Sequence, residues 1–175
     1  MRINENYLEV SDKHTVNVTR MDYDDAYDYR ISIYDEFWEN FKDSDIILSF
    51  WFRPEKPPKE ERKLDIHFGA GPWYQLGTLV YPANKNEFKF YEYKMETKDI
   101  NDSYKTDHFF IRFSNEDLGK TFYLKELKLE KGDNATPYIP NKNSIKADNQ
   151  AIFLSGGGIP GGLSNLDYQG VLYVS

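Results

Sequence analysis

A switch of hydrophobic phase within one late strand constrains the fold of this 175-residue chain more than any other feature. In the segment FYLKELKLEKGDNATPYIP, Phe122 and Leu124 alternate with polar neighbours, and Leu127 and Leu129 continue the alternation in the opposite phase. Residues two apart along a strand share a face, so the apolar set stays on one face only if the strand contains an extra residue. The sequence therefore predicts a β-strand with a β-bulge near Lys125–Glu126.

The residues after this strand predict a tight turn and an extended exit strap. Gly132–Asn134 supply glycine, aspartate and asparagine, which tolerate turn and left-handed backbone conformations. Thr136 and Ile139 each precede a proline, which pushes both toward extended backbone. With Tyr138 and Ile139 as apolar anchors, we expect the strap to lie on the domain surface.

Alternating apolar residues elsewhere in the first 140 positions predict eight or nine short strands and almost no helix. The expected apolar faces are Val16 with Val18; Tyr27, Tyr29, Ile31 and Ile33; Leu48, Phe50 and Phe52; Leu64, Ile66 and Phe68; and Phe109, Ile111 and Phe113. Residues 35–43 are expected to form a short helix or loop, and residues 54–62, which contain three prolines, a solvated loop. This spacing is typical of an all-β sandwich or barrel, and periodicity alone leaves the two open.

The segment LKLEKGDNATPYIPN resembles the closing segment of carbohydrate-binding-module-like jelly rolls in tail and baseplate proteins of bacteriophages of Gram-positive hosts. In that pattern a strand of the type Leu-Lys-Leu-Glu-Lys-Gly is followed by Ala-Thr-Pro, an aromatic residue and another proline. The run LSFWFRP at Leu48–Pro54 is similar to an early core strand of the same domains. The resemblance implies an all-β, jelly-roll β-sandwich over residues 1–140.

The same resemblance implies a non-enzymatic virion protein. Such a protein is made in the host cytoplasm, assembles with other tail or baseplate proteins, and binds host cell-wall or surface polysaccharide outside the cell. Two alternatives stay open at this point. One is an assembly-only structural module, and the other is a binding module of a cell-wall-active enzyme.

Residues 141–175 differ in character from the rest of the chain. A polar linker leads to SGGGIPGG at Ser155–Gly162, where five glycines in eight residues exclude a regular core element. GVLYV at Gly170–Val174 is strand-like and is not followed by a turn. We expect a glycine-rich tail that forms a homo-oligomer, such as a trimer, through residues 151–175, or that begins a following domain.

Composition excludes several classes of function. The net charge of −7 leaves no basic face for a nucleic-acid backbone. The absence of cysteine excludes disulfides, thiolate metal sites and cysteine nucleophiles. Met1–Val10 lacks the apolar core of a signal peptide, and no apolar run approaches membrane-spanning length, so no membrane insertion is expected.

No motif in the sequence indicates catalysis. His14, His67 and His108 lack metal-ligand spacing, no serine lies in a nucleophile elbow, and no carboxylate spacing marks a glycosidase pair. We therefore expect no enzyme activity and no cofactor other than a structural Ca²⁺, which jelly-roll binding modules often hold through oxygen ligands. The candidate ligands for such an ion are Asp22, Asp24, Asp25 and Asp133.

Aromatic residues make up 17% of the chain, and those on the surface suit a flat ligand. Sugar rings present axial C–H groups that pack on aromatic planes, while neighbouring polar side chains bind the hydroxyls. Aromatic residues on loops, or on strand faces expected to lie opposite the core, are therefore the candidate carbohydrate-binding residues. These are Trp51, Trp73, Tyr74, Tyr91 and Tyr93.

Overall fold

The computed structural model describes residues 4–9, 12–22, 25–39, 44–68, 74–96, 98 and 106–140. Within these ranges the chain forms eight strands and two short 3-10 helices, which confirms the all-β class. The strands are β1 (Lys13–Asn17), β2 (Ala26–Ser32), β3 (Ile46–Pro54), β4 (Arg62–Phe68), β5 (Tyr74–Tyr81), β6 (Lys89–Met95), β7 (His108–Ser114) and β8 (Thr121–Lys131). The 3-10 helices are Asp35–Trp38, within the segment expected to be a short helix or loop, and Asn115–Asp117.

The strands form two four-stranded antiparallel sheets whose order is that of a jelly roll. Sheet 1 has the order β1-β8-β3-β6, and sheet 2 has the order β2-β7-β4-β5. Only β4 and β5 are consecutive strands paired in one sheet; every other connection crosses to the opposite sheet. Two four-stranded sheets related in this way are the double Greek key of a jelly-roll sandwich.

The core lies between the sheets and is built from the alternating positions that the sequence indicated. A single cluster of buried side chains includes all the expected inward residues of β3, β4 and β7, together with Val16, Val18, Ile31 and Ile33. Tyr27 and Tyr29 are half-buried and pack against this cluster. The alternation therefore identified the buried face on most strands, because an antiparallel sheet with one covered face requires it.

The predicted bulge is present in β8. Ser49 pairs with Lys128 and Trp51 pairs with Lys125, so β8 has one residue more than β3 across this interval. Glu126 lies at the bulge and has a φ of 54°, in the left-handed region. The extra residue keeps the leucines on both sides of the bulge in the core, and it turns the alternate side chains of the second half of β8 outward.

The exit strap, residues 135–140, lies over those outward-facing positions without regular secondary structure. Ile139 is buried and Tyr138 is half-buried, as the sequence predicted for anchors. Asn6, which is fully buried, donates its side-chain amide to the Leu127 carbonyl at 2.8 Å and the Ile139 carbonyl at 3.0 Å. One amino-terminal side chain thus joins the strap to β8.

Within the described part of residues 7–10, the only ladder contact is an isolated bridge between Leu8 and Ile33. The expected facing of β6 is wrong. Tyr91 and Tyr93 point into the sandwich, and Phe90 points outward with 43% of its surface exposed.

The two tyrosines face inward because they close the edge between β6 of sheet 1 and β5 of sheet 2. The Tyr91 hydroxyl donates to the Val80 carbonyl at 2.8 Å. The Tyr93 ring lies against Gly77, where an added Cβ would come within 2.4 Å of the ring. The Tyr93 hydroxyl is buried and has no hydrogen-bond partner among the described residues. Amphipathic rings fill this edge, and one of them pairs its polar end with a strand carbonyl.

Removing each tyrosine hydroxyl should have opposite consequences for stability. Tyr91→Phe deletes the hydrogen bond to Val80 and should lower the free energy of unfolding by about 1 kcal/mol. Tyr93→Phe deletes a buried hydroxyl that lacks a partner among the described residues, so the free energy of unfolding should stay the same or rise. Chemical denaturation of both variants provides the comparison, with each serving as the control for the other. Equal losses in the two variants would contradict this account of the edge.

The same rings should make stability fall at high pH. Burial raises the pKa of Tyr91 and of Tyr93 above the ordinary value of 10.0. Both phenols then hold their protons more tightly in the folded chain than in the unfolded chain. The free energy of unfolding should therefore be insensitive to these groups below about pH 10 and should decline above it. Denaturation midpoints between about pH 9 and 11 should fall less steeply in the double variant Tyr91→Phe/Tyr93→Phe, and parallel curves would contradict the prediction.

Candidate functional site

A groove of about 400 Å³ lies on the outward face of sheet 1, and we call it the outer groove. Strand β3 contributes Ser49 and Trp51, strand β6 contributes Phe90 and Glu92, and the bulge of β8 contributes Glu126. The strap forms the remaining wall with residues 135–138. Alternation produces the floor, because the residues between these positions on β3 and β6 point into the core.

An exposed aromatic pair forms the centre of the floor. The Trp51 and Phe90 rings are 5.3 Å apart between centroids and are tilted by 58°. Trp51 is half-buried, whereas Phe90 is one of two large apolar side chains exposed within the described residues. A large aromatic ring on the open face of a sheet leaves apolar surface in water, which is a common mark of a contact site.

Cations and further rings extend the aromatic surface toward the end of β3. The Arg53 guanidinium carbon lies 4.4 Å from the Tyr123 ring centroid and 5.2 Å from that of Phe88. The Lys125 ammonium lies 4.9 Å from the Phe88 centroid and 5.5 Å from that of Trp51. These cation–π contacts hold the rings in a continuous ribbon on one face of the sheet.

Two carboxylates supply hydrogen-bond acceptors in the groove. Glu126 Oε1 is 3.6 Å from the ammonium of Lys125, so its charge is partly compensated. Glu92 is exposed and has no ion-pair partner within the described residues. Carboxylates next to aromatic planes can accept hydrogen bonds from hydroxyl groups of a ligand that lies on the rings.

The strap wall is held by a charged pair on the outward side of β8. Lys128 and Glu130 are both fully buried, and their charged groups are 3.2 Å apart. Lys128 donates to the Thr136 hydroxyl and to the Pro137 carbonyl, while Glu130 accepts the Thr136 backbone N–H at 2.8 Å and its hydroxyl at 2.6 Å. Burial lowers the pKa of the Lys128 ammonium, and the charge of Glu130 opposes that shift.

Of the residues predicted to bind carbohydrate, the structure places Trp51 in the outer groove. Tyr91 and Tyr93 lie in the interior, so the expectation that they face away from the core is wrong. Tyr74 begins β5 in the other sheet, and Trp73 lies outside the described residues. Of the three predicted residues whose side chains the structure describes, Trp51 lines the groove, and carbohydrate binding by the five residues stays a prediction.

Sequence reasoning missed Phe90, Glu92 and Glu126 as groove residues. It identified Tyr138 as an anchor of the strap but not as a residue that lines the groove. Strand β6 reads KFYEYKM, with an aromatic residue on each face, so alternation alone does not say which face is buried. The signal that was available is the unbroken series Tyr91, Tyr93 and Met95, because the opposite face carries Glu92 and Lys94. A face with two charges is the better candidate for solvent.

The aspartates proposed for Ca²⁺ do not all lie together. Asp25 directly precedes β2, and the first residue of β2 pairs with Ser114 at the end of β7. Asp25 therefore lies at the end of the sandwich where β8 begins. Asp133 follows the end of β8, roughly 33 Å away along an 11-residue strand. One ion therefore cannot take ligands from both.

The remaining calcium candidates have other contacts. Asp22 is 3.5 Å from Arg20, Asp25 accepts a hydrogen bond from Asn115 at 2.7 Å, and Asp24 lies outside the described residues. No group of three or more histidines and carboxylates that could hold a metal occurs in the described part of the chain. A calcium ion stays a prediction, and a melting temperature unchanged by chelator would rule it out.

The three histidines have structural contacts. His14 Nδ1 is 2.7 Å from the Tyr29 hydroxyl, and His108 Nδ1 is 2.5 Å from Asp107. His67 stacks on Phe110 with 5.0 Å between centroids, and burial followed by the nearby charge of Arg112 lowers its pKa. The rings of His67 and His108 both lie next to Phe110 in sheet 2, and none of the three histidines lines the outer groove.

A second cavity, of about 450 Å³, lies at the end of the sandwich between the 54–60 loop and residues 116–122. Arg62 pairs there with Glu116 and with the fully buried Asp117, whose carboxylate is 2.7 Å from the guanidinium. Arg62 Nε is buried without a hydrogen-bond partner among the described residues, although both terminal nitrogens are bonded to these carboxylates. The aromatic pair found in the outer groove has no counterpart among the residues that line this cavity. The outer groove is therefore the stronger candidate for a ligand site.

No family model matches this chain, and no curated protein sequence matches it. Solved structures similar to it include a "Family 16 Carbohydrate Binding Module-2", with 10% identity over 67% of this chain and 74% of that chain, and a TM-score of 0.38. Another, described as "CBM4 structure and function", has 14% identity over 74% of this chain and 79% of that one, and a TM-score of 0.40.

A third similar structure is the CBM22-1-GH10 part of xylanase 10B from Clostridium thermocellum complexed with xylohexaose. It has 12% identity and a TM-score of 0.40, and the match covers 78% of this chain but only 30% of that chain. Each of these three structures is thus a carbohydrate-binding module or contains one. No helix among the described residues is long and apolar enough to span a membrane.

Proposed function

We propose that this chain is a non-catalytic carbohydrate-binding module and that its ligand lies in the outer groove. The observation that carries the proposal is the Trp51–Phe90 pair, exposed on the floor of a groove that also presents carboxylates. A ligand site of this type uses apolar planes for contact area and a few polar groups for orientation. A pyranose ring fits both, because its C–H face can cover the rings while its hydroxyls donate to Glu92 and Glu126.

The charge and shape of the outer groove support a binding role. Glycoside hydrolysis requires one carboxyl group as proton donor and a second as base or nucleophile. In the outer groove Glu126 is close to the Lys125 ammonium, and the aromatic pair leaves a broad contact surface open to solvent. A site of this shape favours holding a polymer over cleaving it.

The larger assembly that we propose is a phage tail or baseplate, with the chain in the virion and its ligand on the host surface. The support is the resemblance of LKLEKGDNATPYIPN to the closing segment of such domains. Binding at one shallow groove should be weak, and many copies on one particle would supply avidity. Oligomerisation through residues 151–175 fits this role, although those residues lie outside the described ranges. A binding module of a cell-wall-active enzyme would use the same groove, and neighbouring genes would distinguish the two.

Truncating either ring of the pair should abolish most binding. Trp51→Ala and Phe90→Ala each remove apolar contact area, and each should weaken binding to purified Gram-positive cell-wall polysaccharide by about 10-fold or more. Affinity electrophoresis or calorimetry measures the change. Leu118→Ala is the matched control, because Leu118 is 51% exposed and lies outside the groove. Denaturation midpoints should show that all three variants stay folded.

Two outcomes would contradict this proposal. If the native protein binds neither the polysaccharide nor intact host cells, carbohydrate is not its ligand. Binding that survives both aromatic substitutions would move the ligand away from the outer groove. In the first case, a mass by light scattering that falls to the monomer value when residues 141–175 are deleted would favour the assembly-only alternative.

A further inference from the structure

The strap covers charges where a sheet would normally present them to solvent. Lys128 and Glu130 point to the outward side of β8, yet neither exposes any surface. Burying two charges is costly unless each is paired and its hydrogen bonds are satisfied. Two apolar residues at these positions would pack beneath the strap equally well, so packing alone does not explain why a charged pair lies here.

What the pair provides is a set of hydrogen bonds that fix one alignment of the strap. Thr136 makes most of them. Its backbone N–H and its hydroxyl donate to the two oxygens of Glu130, and the same hydroxyl accepts from the Lys128 ammonium and, at 3.1 Å, from the backbone N–H of Asn4. Lys128 also donates to the Pro137 carbonyl at 2.9 Å. A shift of the strap by one residue would break these hydrogen bonds and leave the buried charges only their contact with each other.

The residues held in this way are the ones that face the groove. Thr136 and Pro137 are bonded to the pair, and both line the outer groove together with Ala135 and Tyr138. The strap has no ladder hydrogen bonds of its own to set its position. The distance between the strap and the Trp51–Phe90 pair therefore depends on the buried charges.

We propose that Lys128, Glu130 and Thr136 are positioning residues for ligand binding, which set the strap wall and thereby the width of the outer groove. This inference rests on the proposed function, because it assigns the wall to the same ligand site. It adds that the affinity of the groove is set partly by three residues of which only Thr136 lines it. It also gives a function to the Lys-x-Glu and Thr-Pro spacing of the closing segment.

The first variant is Thr136→Val, which keeps the volume of the side chain and removes the hydroxyl. The backbone amide of Thr136, which donates to Glu130 at 2.8 Å, should exchange with solvent about 10-fold faster, since its local opening becomes easier, while amides in β3 stay protected. Affinity for purified Gram-positive cell-wall polysaccharide should fall by about 10-fold, because the strap wall is no longer pre-organised for the ligand. Thr136→Ser restores the hydroxyl and should restore both quantities.

A matched control and a second variant isolate the role of the pair. Thr121→Val removes a hydroxyl at the far end of the same outward face, where it donates to Asn17 at 2.9 Å, and it should change neither quantity. The double variant Lys128→Met/Glu130→Met keeps the approximate size of both side chains without their charges or their hydrogen-bonding groups. Because replacement of a buried ion pair by apolar residues of similar volume is often tolerated, the chain should stay folded and show the same fast strap exchange and weak binding.

The outcomes separate the inference from the proposed function. Unchanged strap exchange in a folded double variant would overturn the positioning role. Fast strap exchange with unchanged affinity would overturn the link between the wall and the ligand. If the native chain binds no glycan, the proposed function fails, and with it that link, while strap exchange still shows whether the pair positions the strap.

Discussion

One extra residue in β8 determines both surfaces of sheet 1. Phe122 and Leu124 fill the core before the bulge, and Leu127 and Leu129 fill it after the bulge, because Glu126 takes up one position in a left-handed conformation. Without this residue the second half of the strand would turn its leucines to solvent and its charges to the core. The strand would then neither close the sandwich nor present Lys128 and Glu130 to the strap.

The bulge also relates the core to the outer groove. On the inner side, the bulge keeps the leucines of β8 in the core while the strand stays paired with β3 along its whole length. On the outer side it places Glu126 in the groove and the buried charges beneath the strap. The strap in turn provides a wall that a flat sheet would lack. The groove is therefore a consequence of how the last strand and its exit are built, and the exposed aromatic pair lies where that wall leaves the sheet open.

Much of the fold was predictable from local patterns. Alternation identified the buried face of β3, β4 and β7, since one covered face of an antiparallel sheet requires a period of two. The phase switch predicted the bulge, and the prolines predicted an extended strap. The candidate site was less predictable. Trp51 was identified, but β6 carries aromatic residues on both faces, and the choice between Phe90 and Tyr91 depends on which ring meets the edge of β5.

The sequence by itself determined the all-β class, the bulge, and the division of most strands into an inner and an outer face, because each follows from residues within a few positions of one another. Only the tertiary structure decided which aromatic residues are available to a ligand. Tyr93 faces inward because Gly77, 16 positions away in the other sheet, leaves room for its ring, and Phe90 is exposed as a result. Likewise, Lys128 and Glu130 are charged residues with a solvent-facing position in the strand, and they are buried only because the chain returns over them.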